Sequence, residues 1–237
     1  MARGYPDYTS SSGRTQEGVF LPLLSLPPVW FIDTFDTPTL LWDSEVNTIR
    51  IVTQANWTGT ILLPYSGYSM LYLYTDAGGN FEIDKSIGIC PLTANIGISI
   101  NFNIVDRSLW KDATNSLQVI GADYYTGTLT FSICVHYNPQ DYKWYYLNSD
   151  GSTRTYLFTL KIDDSAWHYV KLIIDPVNNK YISLQIDSYI YIFSDVSYYS
   201  TTSTNEALFY IYVEGFAATA TNAVFLIDNI TLTYGES

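Results

Sequence analysis

The side chains best suited to breaking a covalent bond are the carboxyl groups of Glu82, Asp84 and Glu214. Glu82 and Asp84 stand two positions apart in a segment whose alternating residue types predict a strand, so both point to the same face. Hydrolysis of a glycoside with retention of configuration needs two carboxyl groups about 5–5.5 Å apart. An edge strand with two outward-facing acids explains the same spacing more simply, and we do not predict catalysis from it.

Other arrangements that carry chemistry are absent from the sequence. It contains no GxxxxGK[ST], HExxH, GxSxG or GxGxxG pattern. His136 and His168 lie in predicted strands and are expected to be outward-facing surface residues rather than catalytic bases. Cys90 and Cys134 show no metal-ligand spacing, so they form either one disulfide or two buried thiols. We therefore predict a protein that is not an enzyme and needs no cofactor.

Aromatic residues make up 16% of the chain, including 22 tyrosines. Tyr142, Trp144 and Tyr146 are predicted to share one face of a strand over 142–147, where their rings would form a platform for stacking on sugars. A protein interface is another explanation, because tyrosine gives a large contact area at low entropy cost. So is simple filling of solvent-facing strand positions, since tyrosine has high β propensity.

The charge balance excludes two classes of partner. The 237 residues carry a net charge of −12, and only 14% of them are charged. Nucleic-acid binding needs a basic stripe that replaces phosphate counterions, and anionic membranes select basic surfaces too. We expect neither partner. No secretory signal is recognisable, because prolines interrupt the apolar stretch at 19–31, and we expect synthesis in the cytoplasm of a host cell.

Period-two patterns dominate the chain from about residue 30. The segment IGISINFNI at 96–104 alternates apolar and small polar residues, and about a dozen similar short runs are separated by turn-forming clusters such as DAGGN and NSDGS. This pattern predicts an all-β protein, an antiparallel two-sheet jelly-roll sandwich over residues 30–237. A helix is expected only around 108–117.

Residues 1–29 are predicted to form an extended N-terminal arm. Polar residues are interleaved there with Tyr5, Tyr8 and Phe20, and Pro27 and Pro28 favour extended chain. Extended segments gain order by adding to a sheet edge or filling a groove on another chain. We expect these five side chains to anchor the arm in an assembly.

Three segments resemble the concanavalin A-like superfamily, which includes lectins, laminin-G-like modules and retaining β-glucanases. DTFDTPTLLWD (33–43) resembles the entry strand of such modules, WHYVKLIIDPVNNKYISLQID (167–187) resembles the laminin-G-type hairpin, and FLIDNITL (225–232) resembles the closing strand. The resemblance implies a jelly roll whose closing strand pairs beside its first strand. It also implies a catalytic Glu-x-Asp-x-x-Glu strand in the glucanases, but Ile87 stands here where that motif has its second Glu.

The same resemblance implies a structural calcium ion beside the closing strand. Asp228 occupies the matching position, and Asp33 and Asp36 are expected near it, so that carboxylate and backbone oxygens complete the shell. The alternative is that Asp228 is an ordinary cross-strand hydrogen-bonding residue.

These observations lead to one expectation and two alternatives. We expect a non-enzymatic structural subunit of a virus particle, a capsid decoration, a spike or vertex component or a tail part. It would be located in the virion, with capsid or tail proteins, copies of itself and host-surface glycans as partners. The opening MARGYPDY also resembles the starts of viral or proviral proteins of thermophiles. The alternatives are an extracellular, lectin-like carbohydrate-binding module and a glycoside hydrolase using Glu82, Asp84 and Glu214.

Overall fold

The structure is a computed structural model that describes residues 29–36, 42–44, 48–53, 64–65, 69–88, 94–204 and 207–236. The predicted arm, with Tyr5, Tyr8, Phe20, Pro27 and Pro28, lies outside these residues, and only Val29 of the 1–29 segment is described. Nowhere in the described ranges does a helix have the length and apolar character that crossing a membrane requires.

Sixteen strands account for most of the described chain. In chain order they are β1 Val29–Asp33, β2 Asp43–Ser44, β3 Thr48–Thr53, β4 Ser69–Thr75, β5 Asn80–Ser86, β6 Ile96–Ile104, β7 Leu117–Tyr125, β8 Leu129–Asn138, β9 Lys143–Leu147, β10 Arg154–Thr159, β11 Trp167–Asp175, β12 Lys180–Ile186, β13 Tyr189–Ser197, β14 Tyr199–Thr202, β15 Leu208–Phe216 and β16 Ala223–Tyr234. The predicted helix at 108–117 is wrong: a single 3-10 turn at Arg107–Leu109 precedes β7.

The strands form two antiparallel eight-stranded sheets. Sheet A has the order β13-β12-β11-β6-β16-β4-β3, with β1 also paired to β16, and sheet B has the order β10-β9-β8-β7-β15-β5-β2, with β14 also paired to β8. The all-β, antiparallel two-sheet sandwich predicted from the alternation is confirmed. The resemblance also anticipated the β11–β12 hairpin. Its entry strand, expected at 33–43, is wrong: residues 34–36 are not in a strand, Asp43–Ser44 pairs with β5 of sheet B, and the closing strand β16 pairs instead with Val29–Asp33.

One hydrophobic core fills the space between the sheets, because each strand sends alternate side chains inward. Phe81 of sheet B stacks on Phe225 of sheet A with ring centroids 5.7 Å apart, and Trp110 packs edge-on against both rings. Burial of this aromatic cluster fixes which side of every strand faces the core. The opposite side of each strand is thereby fixed as an outer face.

Candidate functional site

The aromatic platform predicted on β9 is not available to a ligand. Trp144 is 0% exposed and stacks on Tyr137 with a centroid distance of 4.6 Å. Tyr146 packs inward against Tyr181 and Phe193. Tyr142 precedes the strand, in the left-handed region at φ 61°, and has the Arg107 guanidinium 4.6 Å from its ring centroid. Trp144 and Tyr146 share a face as predicted, but it is the core face.

Polar residues gather instead on the outer face of sheet B. On β15, Phe209, Ile211 and Val213 enter the core. The residues between them therefore point outward, since strand side chains alternate. These are Tyr210, Tyr212 and Glu214.

Strand register extends this outward set into a row across six strands. Each member is the cross-strand partner of the next, and the row runs Glu82 (β5), Glu214 (β15), Gln118 (β7), His136 (β8), Tyr145 (β9) and Tyr156 (β10). A second row runs beside it through Asp84, Tyr212, Gly121 and Cys134. We call these ten residues, together with Asp123 and Arg154 next to them, the polar face.

Gly121 makes room for the ring of Tyr212 in the second row. A Cβ atom added at Gly121 would lie 2.7 Å from Cε2 of Tyr212, closer than carbon atoms approach without repulsion. The ring therefore lies over the glycine, and its hydroxyl oxygen reaches to 3.4 Å from Sγ of Cys134. Cys134 is a free buried thiol whose pKa burial raises to about 12, so it is inert at neutral pH. Cys90 lies outside the described residues.

The carboxyl group of Glu214 titrates near neutral pH. Burial, and after it the neighbouring Glu82 carboxylate, raise its pKa to about 7, against the opposing effect of the Arg154 guanidinium. Removal from water and a second carboxylate nearby both disfavour the charged form of a carboxyl group. At pH 7 Glu214 is therefore divided between a hydrogen-bond-donating acid and an anion.

His136 is buried, contrary to the prediction of an outward surface residue. It is 1% exposed, between the long side chains of Gln118 and Tyr145, and burial, with a smaller effect from Arg154, lowers its pKa to about 3. It is therefore a neutral imidazole at physiological pH. Neither ring nitrogen has a hydrogen-bond partner among the described residues. The neighbouring Gln118, 4% exposed, is hydrogen-bonded to the Tyr212 hydroxyl.

Two further atoms of the polar face are buried without a described partner, Nε of Arg154 and Oδ1 of Asp123. Buried polar groups in native proteins nearly always pair with protein, ordered water or ligand, and leaving one unpaired costs about 1–3 kcal/mol. Several such atoms lie together on one outer face of sheet B.

His168 is also buried, but its position is structural. Nδ1 lies 2.8 Å from Oδ2 of Asp187 and Nε2 lies 2.9 Å from the carbonyl oxygen of Asp163. Burial opposes the charged imidazolium, but the hydrogen bonds to Asp187 and Asp163 outweigh it and raise the pKa of His168. The same hydrogen bond lowers the pKa of the Asp187 carboxyl group against the effect of burial. Both ring nitrogens are satisfied, so His168 has no free atom for catalysis.

The residues predicted to hold calcium do not converge on an ion site. Asp228 is completely buried on β16 opposite Asn101. Asp33 accepts hydrogen bonds from the Phe35 amide and the Trp42 indole, and Asp36 accepts one from the Ser69 amide. Within the described ranges no three His, Cys, Asp or Glu side chains come together as metal ligands. A calcium site at Asp228 stays a prediction.

Several members of the polar face were not anticipated from the sequence, among them Gln118, Tyr212 and Arg154. The alternation of LFYIYVEGF places Tyr210, Tyr212 and Glu214 on one face of a strand. This pattern could have identified Tyr212 as a neighbour of Glu214. Gln118 and Arg154 are isolated polar residues whose importance depends on the strands that lie beside them. Glu82, Asp84 and Glu214 were chosen as candidate acids, and the structure brings all three together.

Comparisons with known proteins give distant similarities of fold. No protein-family model matches the chain, and no curated protein matches it significantly in sequence. Among solved structures it is similar to a carbohydrate esterase from the Shiga toxin-encoding bacteriophage phi24B (TM-score 0.49, 16% identity, covering 82% of this chain and 90% of that one). It is also similar to the carbohydrate recognition domain of Emp47p (0.42, 9%, 81% and 90%).

A third similar structure is a module of the evolved Dit protein of Lactobacillus casei BL23 phage J-1 (TM-score 0.42, 12% identity, covering 88% and 96%). At these scores and identities the similarity concerns the fold, and the activities of the three proteins are not transferred to this chain. The polar face of sheet B carries the functional information instead.

Proposed function

We propose that this protein is a non-enzymatic carbohydrate-binding β-sandwich whose polar face on sheet B holds a saccharide. The observation that carries the proposal is the set of buried polar atoms without described partners, on His136 and Arg154, on the same face as the rings of Tyr210 and Tyr212. A ligand must supply hydrogen-bonding groups at several points along the row and an apolar surface next to them.

A saccharide meets both requirements. Each hydroxyl can donate and accept, so it can pair with an imidazole nitrogen, an amide nitrogen or a carboxylate. The carbon-bound hydrogens of a sugar ring supply the apolar surface that packs on tyrosine. Tyrosine suits this contact because its ring is apolar and its hydroxyl can stay hydrated or form a hydrogen bond. Specific sites commonly combine aromatic side chains with a few placed polar groups in this way.

The experiment is a binding screen of the full chain against a broad glycan panel, repeated with Gln118→Leu. This change removes the amide and keeps a similar volume, so we expect folding to persist and glycan binding to fall about tenfold or more, the effect of losing a hydrogen bond at a buried site. Gln185→Leu is the matched control, because Gln185 lies on β12 of sheet A and bonds the Asp187 carbonyl oxygen. An absence of binding across the panel, or equal losses in both variants, overturns the proposal.

The setting we propose is a virus particle, with the glycan-binding domain outward and residues 1–29 as the anchor. Support comes from the sequence of the arm, whose prolines and interleaved aromatic residues suit an extended strap on a neighbouring subunit. Deletion of residues 1–28 should abolish co-sedimentation with particles and leave the circular dichroism of the sandwich unchanged. Normal incorporation of the shortened chain contradicts this setting.

One observation favours a second candidate, glycoside hydrolysis. Glu82 and Glu214 are direct cross-strand partners, and such Cβ atoms lie about 4.5–5.5 Å apart. Side chains that start from Cβ atoms this close can bring their carboxyl groups to the separation of about 5–5.5 Å that retaining hydrolases need. The protonated Glu214 would be the acid and Glu82 the nucleophile. Release of reducing sugar from a polysaccharide panel, lost in both Glu82→Gln and Glu214→Gln, would establish this candidate in place of the non-enzymatic one.

A further inference from the structure

We propose that two copies of this protein pair edge to edge through strand β13, with residues 189–193 of one copy antiparallel to the same residues of the other copy. The interface does not involve the polar face, so this inference and the proposed function can fail separately. It comes from a comparison of the end strands of the two sheets, and from the exposure and charge of one segment of β13.

Strand β13 is an end strand of sheet A. Among the described residues its strand partner is β12, which covers one of its two sides. Alternate residues of β13 therefore direct their backbone N–H and C=O groups away from β12, where no described strand pairs with them. A row of such groups is a template for an added strand, because a strand offers acceptors and donors at the same spacing.

The first half of β13 lacks the features that keep an end strand from pairing. Natural proteins protect such strands by short length, charged side chains, proline or a bulge. The other described end strands are protected: β2 has two residues, β14 has four, β3 contains Arg50, and the registers of β1 and β10 shift. Tyr189–Ile192 pairs with β12 in unbroken register and contains neither charge nor proline, and the register shift of β13 comes after it.

Two large apolar side chains of this half are exposed. Tyr191 and Phe193 pack in the core, so Ile190 and Ile192 point to the outer face of sheet A, since strand side chains alternate. Ile190 is 58% exposed and Ile192 is 66% exposed. Exposed apolar side chains next to unpaired backbone groups mark an end strand that can accept a partner.

The charge of the chain favours a second copy as this partner. The protein carries a net charge of −12, so two copies repel each other in most orientations. Residues 188–194 are uncharged, and Asp195 just beyond them is paired with Lys180. Two copies therefore meet at this edge with little repulsion. A partner recognised by its own charge finds no opposite charge in this segment.

The segment is self-complementary about a twofold axis. With Tyr191 on the axis, Ile190 of each copy lies opposite Ile192 of the other copy, and both face the outer side of sheet A. Cross-strand pairs of β-branched side chains stabilise a sheet, and the twofold symmetry repeats this pair. Sheet A thereby continues from one copy into the other.

The orientation of the two copies has a consequence for binding. A twofold axis between antiparallel strands of one continuous sheet is perpendicular to that sheet, so sheet B lies on the same side in both copies. The two polar faces then point in the same direction. Where the proposed function holds, the dimer binds a surface that carries many glycans more tightly than one copy does.

The test is sedimentation equilibrium of the full chain over a range of concentrations. Pairing through one strand buries less area than a standard interface, so we expect a micromolar dissociation constant and a mass that rises from 26.9 kDa toward twice that value. Ile190→Lys inserts a charge at two places in each dimer and should weaken dimerisation about tenfold or more. Val177→Lys is the matched control, because Val177 is 62% exposed in the β11–β12 turn, away from the paired segment.

Hydrogen exchange then locates the interface. The backbone amides of residues 189–193 should exchange more slowly at high protein concentration than at low concentration, and this protection should be lost in Ile190→Lys. Both substituted positions are exposed, so we expect both variants to keep the circular dichroism of the wild type.

A mass that stays at 26.9 kDa at all concentrations overturns the inference. So does a folded Ile190→Lys variant that dimerises as tightly as the wild type. Dimerisation that disappears on deletion of residues 1–28, with unchanged exchange in β13, also overturns it, because the interface then belongs to the arm. Failure of every glycan in the panel is a different result, since it removes the proposed function and leaves the dimer standing.

Discussion

Replacing Glu214 by Gln should stabilise the protein at alkaline pH and have little effect at acid pH. In the unfolded chain this carboxyl titrates near 4.5, and in the folded protein its pKa is about 7. Folding therefore favours the protonated form. The stability that depends on this proton is fully present below pH 4.5 and is lost as the pH rises through 7. Glutamine is neutral throughout and avoids the loss.

The magnitude follows from the size of the pKa change. At 1.36 kcal/mol per pKa unit, a rise from 4.5 to about 7 corresponds to roughly 3 kcal/mol in the absence of screening. Because the Glu214 side chain is only half-buried, solvent screening reduces this figure, and we expect about 1–2 kcal/mol. Half or more of the effect should come from burial, since burial is the largest cause of the shift and Glu82 the second.

The assay is urea-induced unfolding of the wild-type protein and of Glu214→Gln at pH 8 and at pH 4.5. The variant should have a free energy of unfolding about 1–2 kcal/mol higher at pH 8, and the two proteins should agree at pH 4.5. Asp195→Asn is the control, because the pKa of Asp195 is lowered by Lys180 and its removal should not stabilise the protein at pH 8. A Glu214→Gln variant that is no more stable at pH 8 than the wild type refutes the reasoning on the polar face.

Three further predictions concern neighbouring positions. Burial lowers the pKa of His136 to about 3, so the free energy of unfolding should fall by several kcal/mol as the pH drops from 6.5 to 3. The His136→Gln variant should show a smaller fall when its unfolding is measured across the same pH range. Trp144→Ala should reduce the free energy of unfolding by about 3–5 kcal/mol in urea titrations, without changing which glycans bind. Gly121→Ala should displace the Tyr212 ring, weaken glycan binding in calorimetry and lower stability by about 1–3 kcal/mol.

Strands with strict alternation could be predicted from the sequence alone. The segment 96–104 was predicted with the bounds that β6 has, because Ile96, Ile98, Ile100, Phe102 and Ile104 alternate with polar or small residues. Strand β7 was missed. Its register shifts between Gln118 and Ile120, and this bulge breaks the alternation that reveals a strand.

The faces of the aromatic strands could not be assigned from the sequence. On β9 both sides carry aromatic residues, Trp144 and Tyr146 on one and Tyr145 on the other, so periodicity does not decide which side enters the core. Packing decides it, because Trp144 fits against Tyr137 of the neighbouring strand. This choice moved the candidate site from Tyr142, Trp144 and Tyr146 to the opposite face.

The candidate site depends on strands that are far apart in the chain. Glu82 and Glu214 were both recognised as acids, but their pairing follows from the antiparallel register of β5 with β15. The burial of His136 likewise follows from Gln118 and Tyr145 on the flanking strands. Local patterns reveal neither relation, because both arise from long-range strand pairing.

The measurement that tests the central claim most directly is an NMR titration of the isotopically labelled chain with the tightest glycan from the panel. We expect the amide and side-chain shifts that change most to belong to the polar face, with His136, Gln118, Tyr212 and Glu214 among them. Shift changes confined to sheet A, or to loops away from β5, β7, β8 and β15, would contradict the claim that this face is the binding site.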